Sequence, residues 1–522
     1  MHKFSSFLKL LRNLDKYRAS VILIFLFTIF TRFYNFPTRW GIGSDNARDA
    51  IIALEALSRH QLPLMGPFSS AGPFVTGGIY YWLVMAAYAI FPFFLSAPWI
   101  LTGAISVANV ILLMYLGKNL VGKRFSLILG LLSTFALQYI GEALQLSNPT
   151  FVAVFAILTI IFFVKFWQKN RTIFGLLMGL SIGLAINMHY EAINLLIFLP
   201  AVLFIPKMSF KHKINAFLLA LLGLFLTAFP LLYWDAHQGF ANTRNILDYL
   251  LIGQYRIYVP NSWKLFLFNY FPFYWSRVVG NYLPVGLLLF FASGLAFIIS
   301  IFRKKVSPQL LSLGIIFLIL LLVNKSYRGE RSDDYMLYFS PFVLIFTAFL
   351  IEQFFSFKNV LIRSLGIALL VSLITINFLT IKNVLFYVNM IPNEETVVNV
   401  LTQKYPNQKF SIYDYKYENS GFSLPLSLLL RSKGKLDANG VKIGINCYAK
   451  DCPGKLYTIL NQPVRVFNLS AVSPAKFDMK KGVWKNVNAA FVYDNQVGWL
   501  NQNQLRSTFS LKDYIISKLG KI

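Results

Sequence analysis

"GSDNARDAIIALEAL", residues 43–57, places Asp45, Arg48 and Asp49 directly after the first long apolar run of the chain. A helical wheel separates this segment into two sides, apolar Ala47, Ala50, Ile51, Leu54 and Leu57 against polar Asp45, Arg48, Asp49 and Arg59. The pattern predicts an amphipathic helix at a membrane interface, with Ser44 as its N-cap. A surface helix whose charges only face water fits the spacing equally well.

The composition of the whole chain indicates a membrane protein. Of 522 residues, 56% are hydrophobic and only 13% are charged, with 51 Phe and 27 Tyr. Apolar stretches of roughly 16–22 residues recur between short basic loops, which fits helices that cross a hydrocarbon layer of about 30 Å. The net charge of +28 comes mostly from these loops and the tail. We therefore expect anionic lipid, and not nucleic acid, as the partner of the basic residues.

The distribution of Lys and Arg predicts the topology, because basic residues near span ends stay in the cytoplasm. It gives a polytopic α-helical protein of about eleven spans, with the N-terminus inside and the C-terminus outside the plasma membrane. The predicted spans lie near residues 19–36, 97–117, 125–140, 150–166, 174–188, 191–206, 214–233, 280–301, 309–323, 335–354 and 362–386. If the apolar segment 77–94 were a full span, the basic loops that follow it would lie outside the cell. We therefore predict an interfacial or re-entrant helix there.

The composition changes near residue 390. We predict a transmembrane domain at 1–389 and a small extracytoplasmic α/β domain at 390–522, where runs such as "FSIYDY" and "VRVFNL" are typical of short strands. Cys447 and Cys452 lie in this second domain. A local disulfide and two free thiols are both compatible with their spacing.

The opening stretch is followed by "LPLMGPFSSAGPFVTGGIYYWLVMAAYAIFP", residues 62–92. Together the two segments resemble the first outer loop of the protein-mannosyltransferase and aminoarabinose-transferase superfamily, glycosyltransferase family 39. The resemblance extends to "DDYMLYFSPFVLIF", at residues 333–346. It implies a GT-C type integral-membrane enzyme that uses a polyprenyl-phosphate sugar donor. It also implies that Asp45 is the catalytic base; Ala47 and Arg48 match the family's motif, whereas Asn46 replaces its usual Glu.

A site of this kind must lie at the outer interface, where the head group of a lipid-linked donor sits. Inverting transfer needs a base that removes the proton of the acceptor hydroxyl or amine, and Asp45 is the candidate. The leaving phosphate needs fixed cations. We predict this role for outer-face arginines, which the positive-inside rule does not explain: Arg48, Arg328, Arg331 and Arg256. Pairing of Arg328 and Arg331 with Glu330, Asp333 and Asp334 is the alternative.

Other polar and aromatic side chains at the outer ends of spans are predicted to bind substrate: Asp49, Glu142, Asn148, His189, Glu191, Tyr80 and Tyr81. Hydration at the membrane boundary is the simpler interpretation of each. Two carboxylates, Asp45 and Asp49, with one distant Glu make a poor metal signature. We therefore predict no metal and no certain cofactor, and leave a divalent cation open.

The predicted partners are the polyprenyl-phosphate sugar donor, membrane lipids and an acceptor that is a glycan, a lipid or a protein. A polysaccharide polymerase or ligase on the same scaffold would use the same donors and remains an alternative. A flippase or transporter is less favoured, because its substrate path should carry charged residues at mid-span, and the span interiors here are almost free of them.

Overall fold

The computed structural model describes residues 15–69, 71–255, 262–329, 331–386, 392–414, 423–437 and 439–445, and short strands between 455 and 488. The helices of the first 390 residues are α1 Lys16–Phe33, α2 Phe36–Arg39, α3 Ser44–Ser58, α4 Ile79–Ile90, α5 Ala97–Leu120, α6 Lys123–Thr134, α7 Leu137–Glu142, α8 Val152–Lys169, α9 Ile173–Met188, α10 Phe198–Leu203, α11 Phe210–His237, α12 Ala241–Leu251, α13 Ser262–Leu265, α14 Phe271–Val278, α15 Leu283–Phe302, α16 Pro308–Ser326, α17 Ser340–Phe355 and α18 Val360–Phe386.

Shorter irregular elements join several of these helices. The 3₁₀ segments are η1 Pro149–Phe151, η2 Tyr190–Ile197, η3 Gly253–Tyr255 and η4 Asp333–Phe339, and a π-helical turn covers Phe266–Tyr270. A two-stranded antiparallel hairpin, β1 Met65–Phe68 and β2 Val75–Gly77, lies between α3 and α4. The hairpin and the irregular segments supply much of the backbone around the site described below.

Seven segments among the described residues are long and apolar enough to cross a membrane: Ala97–Leu120, Pro149–Lys169, Phe210–His237, Leu283–Phe302, Pro308–Ser326, Asp333–Phe355 and Val360–Lys382. They agree with a multi-pass membrane protein. The other four predicted spans fall on α1, which carries three basic residues, on α6 with 12 residues, and on α9 and Tyr190–Leu203, which have fewer than 18. The count of about eleven spans therefore stays a prediction.

The aromatic helix α4 is too short to be a span. It has 12 residues and is thus roughly 18 Å long, against a hydrocarbon layer of about 30 Å. It packs against α3, and both helices lie in the predicted first outer loop. This length supports the interfacial placement predicted for residues 77–94.

The two ends of the helix bundle differ in charge. Arg124 at the start of α6 pairs with Glu352 near the end of α17, and Lys165 near the end of α8 donates to Asn119 at the end of α5, 3.0 Å away. These basic loops belong to the predicted cytoplasmic side. The other ends of the same helices carry the acidic and aromatic residues of the candidate site.

Elements after residue 390 are α19 Pro392–Lys404, β3 Phe410–Asp414, α20 Ser423–Ser432, β4 Val441–Ile445, β5 Lys455–Ile459, β6 Gln462–Phe467, β7 Lys476–Asp478, β8 Val483–Lys485 and β9 Val487–Asn488. Five strands form a mixed sheet in the order β5-β6-β4-β3-β9, in which β3 and β4 are parallel. Helix α20 packs on α3, and Arg431 donates to Glu55 at 2.6 Å. Cys447 and Cys452 lie outside the described residues.

Helices α9 and α11 are in close contact through a row of glycines. A Cβ atom added to Gly175 would lie 2.3 Å from the Ala216 carbonyl oxygen, and one added to Gly179 would lie 1.9 Å from the Ala220 carbonyl oxygen. Small residues at such spacing let two helix backbones approach closely within a membrane. The packing of α9, and with it the position of His189 at its end, depends on these glycines.

We expect Gly179→Leu to destabilise the protein, because the new Cβ atom would overlap the Ala220 backbone in every rotamer and α11 must move away, at a cost of about 1–3 kcal/mol. Thermal unfolding of the detergent-purified protein measures the change. Gly294→Leu on α15 is the matched control, since an added Cβ there meets no atom within 4 Å among the described residues. Equal melting temperatures for the two variants would contradict the close approach of α9 and α11.

Candidate functional site

A cavity of about 710 Å³ lies where several distant segments of the chain meet. Its wall includes Asp45, Arg48 and Asp49 from α3, Phe68 and Thr76 from the hairpin, Ser147 and Asn148 before η1, His189, Glu191 and Asn194 after α9, Tyr249 and Leu250 from α12, and Asn324, Tyr327, Asp334 and Tyr335 from the end of α16 and the start of η4. Of the predicted site residues, the structure thus brings together Asp45, Arg48, Asp49, Asn148, His189 and Glu191.

Arg48 joins the two aspartates of α3. Its Nη1 atom donates to the Oδ1 atom of Asp45 at 2.6 Å, and its Nε atom donates to the Oδ1 atom of Asp49 at 2.8 Å. Asp45 remains 73% exposed, whereas Asp49 is 1% exposed. Arg48 therefore anchors an exposed carboxylate to a buried one, as the i, i+3 spacing of Asp45 and Arg48 predicts.

The environment of Asp49 corrects two predictions, that Asp49 faces water and that Tyr80 and Tyr81 bind substrate. Asp49 does not face water, because α4 covers it: Tyr80 donates to its Oδ2 atom at 2.9 Å and Tyr81 to its Oδ1 atom at 3.3 Å. Burial raises the pKa of Asp49, and the guanidinium of Arg48 opposes this shift. Tyr80 and Tyr81 were predicted to bind substrate, but both are buried and hold Asp49 instead.

Asn46 fixes the beginning of α3. Its Oδ1 atom accepts from the backbone N–H of Gly43 at 2.7 Å, and its Nδ2 atom donates to the carbonyl of Leu146. The N-cap is Gly43 and not the predicted Ser44, which is the first helical residue. Asn46, at the position where the resembling family has an acid, thus ties α3 to the loop before η1.

His189 and Glu191 lie side by side on the cavity wall. His189 stacks on the ring of Tyr335 with centroids 4.4 Å apart, and its Nδ1 atom lies 3.7 Å from the Glu191 carboxylate. Burial lowers the pKa of His189 to about 4, so the imidazole is neutral at pH 7. Asn148, whose Nδ2 atom donates to the Met188 carbonyl at 2.6 Å, lines the same wall.

The predicted phosphate-binding arginines do not converge as expected. Arg331 donates to the backbone carbonyls of Asn324 and Tyr327 and lies over the ring of Phe266, 4.8 Å from its centroid, outside the cavity wall. Arg328 is exposed and also outside the wall. Arg256 lies outside the described residues. Among the described wall residues, Arg48 is therefore the only arginine or lysine.

The alternative interpretation was that Asp333 and Asp334 pair with Arg328 and Arg331. The structure gives these acidic residues other neighbours. Asp333 pairs with Arg277 at 3.2 Å. Asp334 lines the cavity, and burial, with a smaller effect of Asp334, raises the pKa of Glu142 to about 8. Glu142 was predicted to bind substrate directly; its burial corrects this. Asp334 is a wall residue that sequence reasoning treated only as a partner of arginine.

The sequence analysis also did not predict two aromatic residues of the cavity wall. Tyr249 and Tyr327 line the cavity and share a hydrogen bond of 2.7 Å between their hydroxyl groups. Their positions at helix ends resemble ordinary interface anchors, so no local signal separates them. Within the described residues, no group of three or more His, Cys, Asp or Glu side chains is arranged to hold a metal ion.

Residues 77–234 match the family model for dolichyl-phosphate-mannose-protein mannosyltransferases. The structure is similar to ArnT from Cupriavidus metallidurans bound to undecaprenyl phosphate, with a TM-score of 0.59 and 10% identity over 87% of this chain and 99% of that chain. It is also similar to the archaeal oligosaccharyltransferase AglB from Archaeoglobus fulgidus in complex with an inhibitory peptide and a dolichol-phosphate. That match has a TM-score of 0.50 and 12% identity, and covers 75% of this chain but only 58% of AglB.

The structural matches show the GT-C fold that the sequence predicts, and the family match over residues 77–234 agrees with the predicted superfamily over that part of the chain. No curated protein sequence matches significantly. The family match begins after α3, so it does not include Asp45. The role of Asp45 rests on the first-loop motif and on the geometry of the cavity.

We expect Asp49→Ala to lower the free energy of unfolding by about 3–5 kcal/mol, because it leaves Arg48 without its buried partner. Thermal unfolding is the measurement. Arg18→Ala, which removes an exposed pair with Asp15 on α1, is the control and should change the melting temperature far less. A small effect of Asp49→Ala would show that α3 does not depend on this buried carboxylate.

Proposed function

We propose that this membrane protein, which has the GT-C glycosyltransferase fold, transfers a sugar from a polyprenyl-phosphate donor to an extracytoplasmic acceptor. The transfer inverts the anomeric carbon, and Asp45 is the base. One observation carries the proposal. The carboxylate of Asp45 lies in the first turn of the interfacial helix α3, lines a cavity of about 710 Å³ and is held by Arg48.

The chemistry requires one proton transfer and one displacement. The acceptor oxygen or nitrogen attacks the anomeric carbon and gives its proton to Asp45, while the bond between that carbon and the phosphate oxygen breaks and polyprenyl phosphate leaves. Arg48 binds the Oδ1 atom of Asp45, so the Oδ2 atom can accept the proton.

The leaving phosphate gains negative charge during the reaction, and a cation beside it stabilises this charge. Arg48 is the cation of the described wall. Arg328 follows Tyr327, a wall residue, and its backbone N–H donates to Gln254, another wall residue, at 3.2 Å. We keep Arg328, Arg331 and Arg256 as proposed phosphate contacts, of which Arg328 and Arg331 must move toward the cavity when donor binds.

The cavity has an apolar side that suits the isoprenoid tail. Leu250 on α12 and Val323 on α16 line it and are 37% and 52% exposed. Exposed apolar side chains on the cavity wall, one of them on the candidate membrane span Pro308–Ser326, offer a lipid chain apolar contacts at the cavity. This arrangement supports a donor whose head group enters the cavity from the bilayer.

We expect Asp45→Asn to lower kcat by about 10²- to 10⁴-fold, the usual contribution of a general base, with little change in KM for the donor. Transfer of radiolabelled sugar from a polyprenyl-phosphate donor by purified protein in liposomes is the measurement. Asp248→Asn on α12, outside the cavity wall, should retain full activity. Wild-type turnover in the Asp45→Asn variant, with normal expression and folding, would refute the assignment of the base.

We also propose that the cavity and the residues after 390 face the outside of the plasma membrane, with the N-terminus in the cytoplasm. The test uses a variant in which Cys447 and Cys452 are serine. We expect a membrane-impermeant maleimide to label Ser58→Cys, at the end of α3, in intact cells. Lys305→Cys, between α15 and α16, should be labelled only after permeabilisation. Labelling in the opposite pattern would invert the topology.

A further inference from the structure

The middle of α3, the helix that carries Asp45, is covered on every side. A helix that lies on a membrane surface keeps one face in water. In α3, by contrast, the four consecutive residues 50–53 and Ala56 are each at most 3% exposed. Four consecutive residues point in all directions around a helix, because each turn has 3.6 residues. Elements of the protein other than the bilayer must therefore enclose α3.

Part of this cover comes from the C-terminal part of the chain. Helix α20, Ser423–Ser432, packs on α3. Residues 424–430 of α20 are all buried, and its leucines belong to one continuous hydrophobic cluster with Ala50 and Ile51 of α3 and with Tyr80 of α4. Helix α20 thus shares its core with the helices that form the candidate site.

An ion pair joins α20 to the last turns of α3. The carboxylate of Glu55, whose side chain is 13% exposed, accepts from two guanidinium groups. Its Oε1 atom accepts from Arg59 of α3 at 2.8 Å, and its Oε2 atom accepts from Arg431 of α20 at 2.6 Å. Because each oxygen has its own charged donor, the carboxylate is fixed in orientation. The pair is partly buried, so salt screens it less than a pair on the surface.

The position of Glu55 gives this contact an effect on the site. Asp49 is bound by α4 and holds α3 at one point, and a helix held at one point is free to tilt. Glu55 provides a second point, six residues further along. A change of tilt at Glu55 displaces Asp45, which lies ten residues and therefore roughly 15 Å away on the same helix.

We propose that α20 holds α3 at a defined tilt and that Arg431 is a positioning residue, which acts on Asp45 through Glu55. The inference rests on the proposed function, in which Asp45 is the base. A displacement of a reacting group by about 1 Å lowers a rate by up to about 10²-fold. The C-terminal part of the chain therefore contributes to transfer without touching the substrate.

The first test measures hydrogen exchange of the full-length purified protein and needs no substrate. In Arg431→Ala, amide exchange in residues 44–58 should be on the order of fivefold faster than in the wild type. Lys433→Ala is the matched control and should leave this exchange unchanged. Lys433 is exposed and donates to Asn399 of α19 at 2.7 Å, a bond that stays within the C-terminal part.

Glu55→Gln provides a second variant for the same measurement. It keeps the shape of the side chain and removes the charge that binds Arg431, so it should also accelerate exchange in residues 44–58. Wild-type exchange there in both Arg431→Ala and Glu55→Gln, or an equal acceleration in Lys433→Ala, overturns the inference. The Asp45→Asn experiment is unaffected by that outcome and still tests the function.

The second test measures sugar transfer from a polyprenyl-phosphate donor in liposomes. Arg431→Ala should lower kcat/KM on the order of tenfold, and Arg431→Lys should restore most of it, because an ammonium group also pairs with Glu55. In a Glu55→Ala background, Arg431→Ala should cause no further loss. Additive losses would show that Arg431 does not act through Glu55 and would overturn the inference. Absence of transfer by the wild type would instead refute the proposed function, while the exchange rates still test the tilt of α3.

Discussion

The bridge that Arg48 forms between buried Asp49 and exposed Asp45 determines the rest of the site. A carboxylate as buried as Asp49 is tolerated only with several donors, and it has three, from Arg48, Tyr80 and Tyr81. These donors allow α3 a single rotation about its axis. Asp45, one turn away, then lines the cavity and pairs with the same guanidinium.

The membrane imposes the second constraint. Charged side chains and irregular backbone are costly in hydrocarbon, and non-helical segments are tolerated where they line a polar cavity. The structure follows this rule: η2, the residues before η1 and the first residues of η4 all contribute to the cavity wall. Close packing of α9 on α11 through glycines brings His189 to this wall. The proposed chemistry thus takes place at the end of the bundle where these segments meet.

Local sequence was sufficient for the helices and for the main candidate residue. Apolar runs separated by basic loops predict helices that the structure contains, and the 12-residue length of α4 supports keeping the aromatic segment 77–94 apart from the predicted spans. The wheel and the i, i+3 spacing placed Asp45 and Arg48 correctly because both depend on one helix alone. Helix length, periodicity and neighbouring charges are properties of the chain over fewer than about 20 residues, so the sequence carries them directly.

Tertiary structure alone decided which polar groups are buried and with what partners. The helical wheel placed Asp49 on the side facing water. In the structure, Tyr80 and Tyr81 cover it, although they follow it by 31 and 32 positions in the chain. Arg331 donates to backbone carbonyls and lies over an aromatic ring, and Glu142 is buried and accepts from Thr150. A sequence records which groups can ionise or donate, but desolvation and hydrogen bonding depend on the three-dimensional neighbours, and these come from segments whose order along the chain does not reveal their contact.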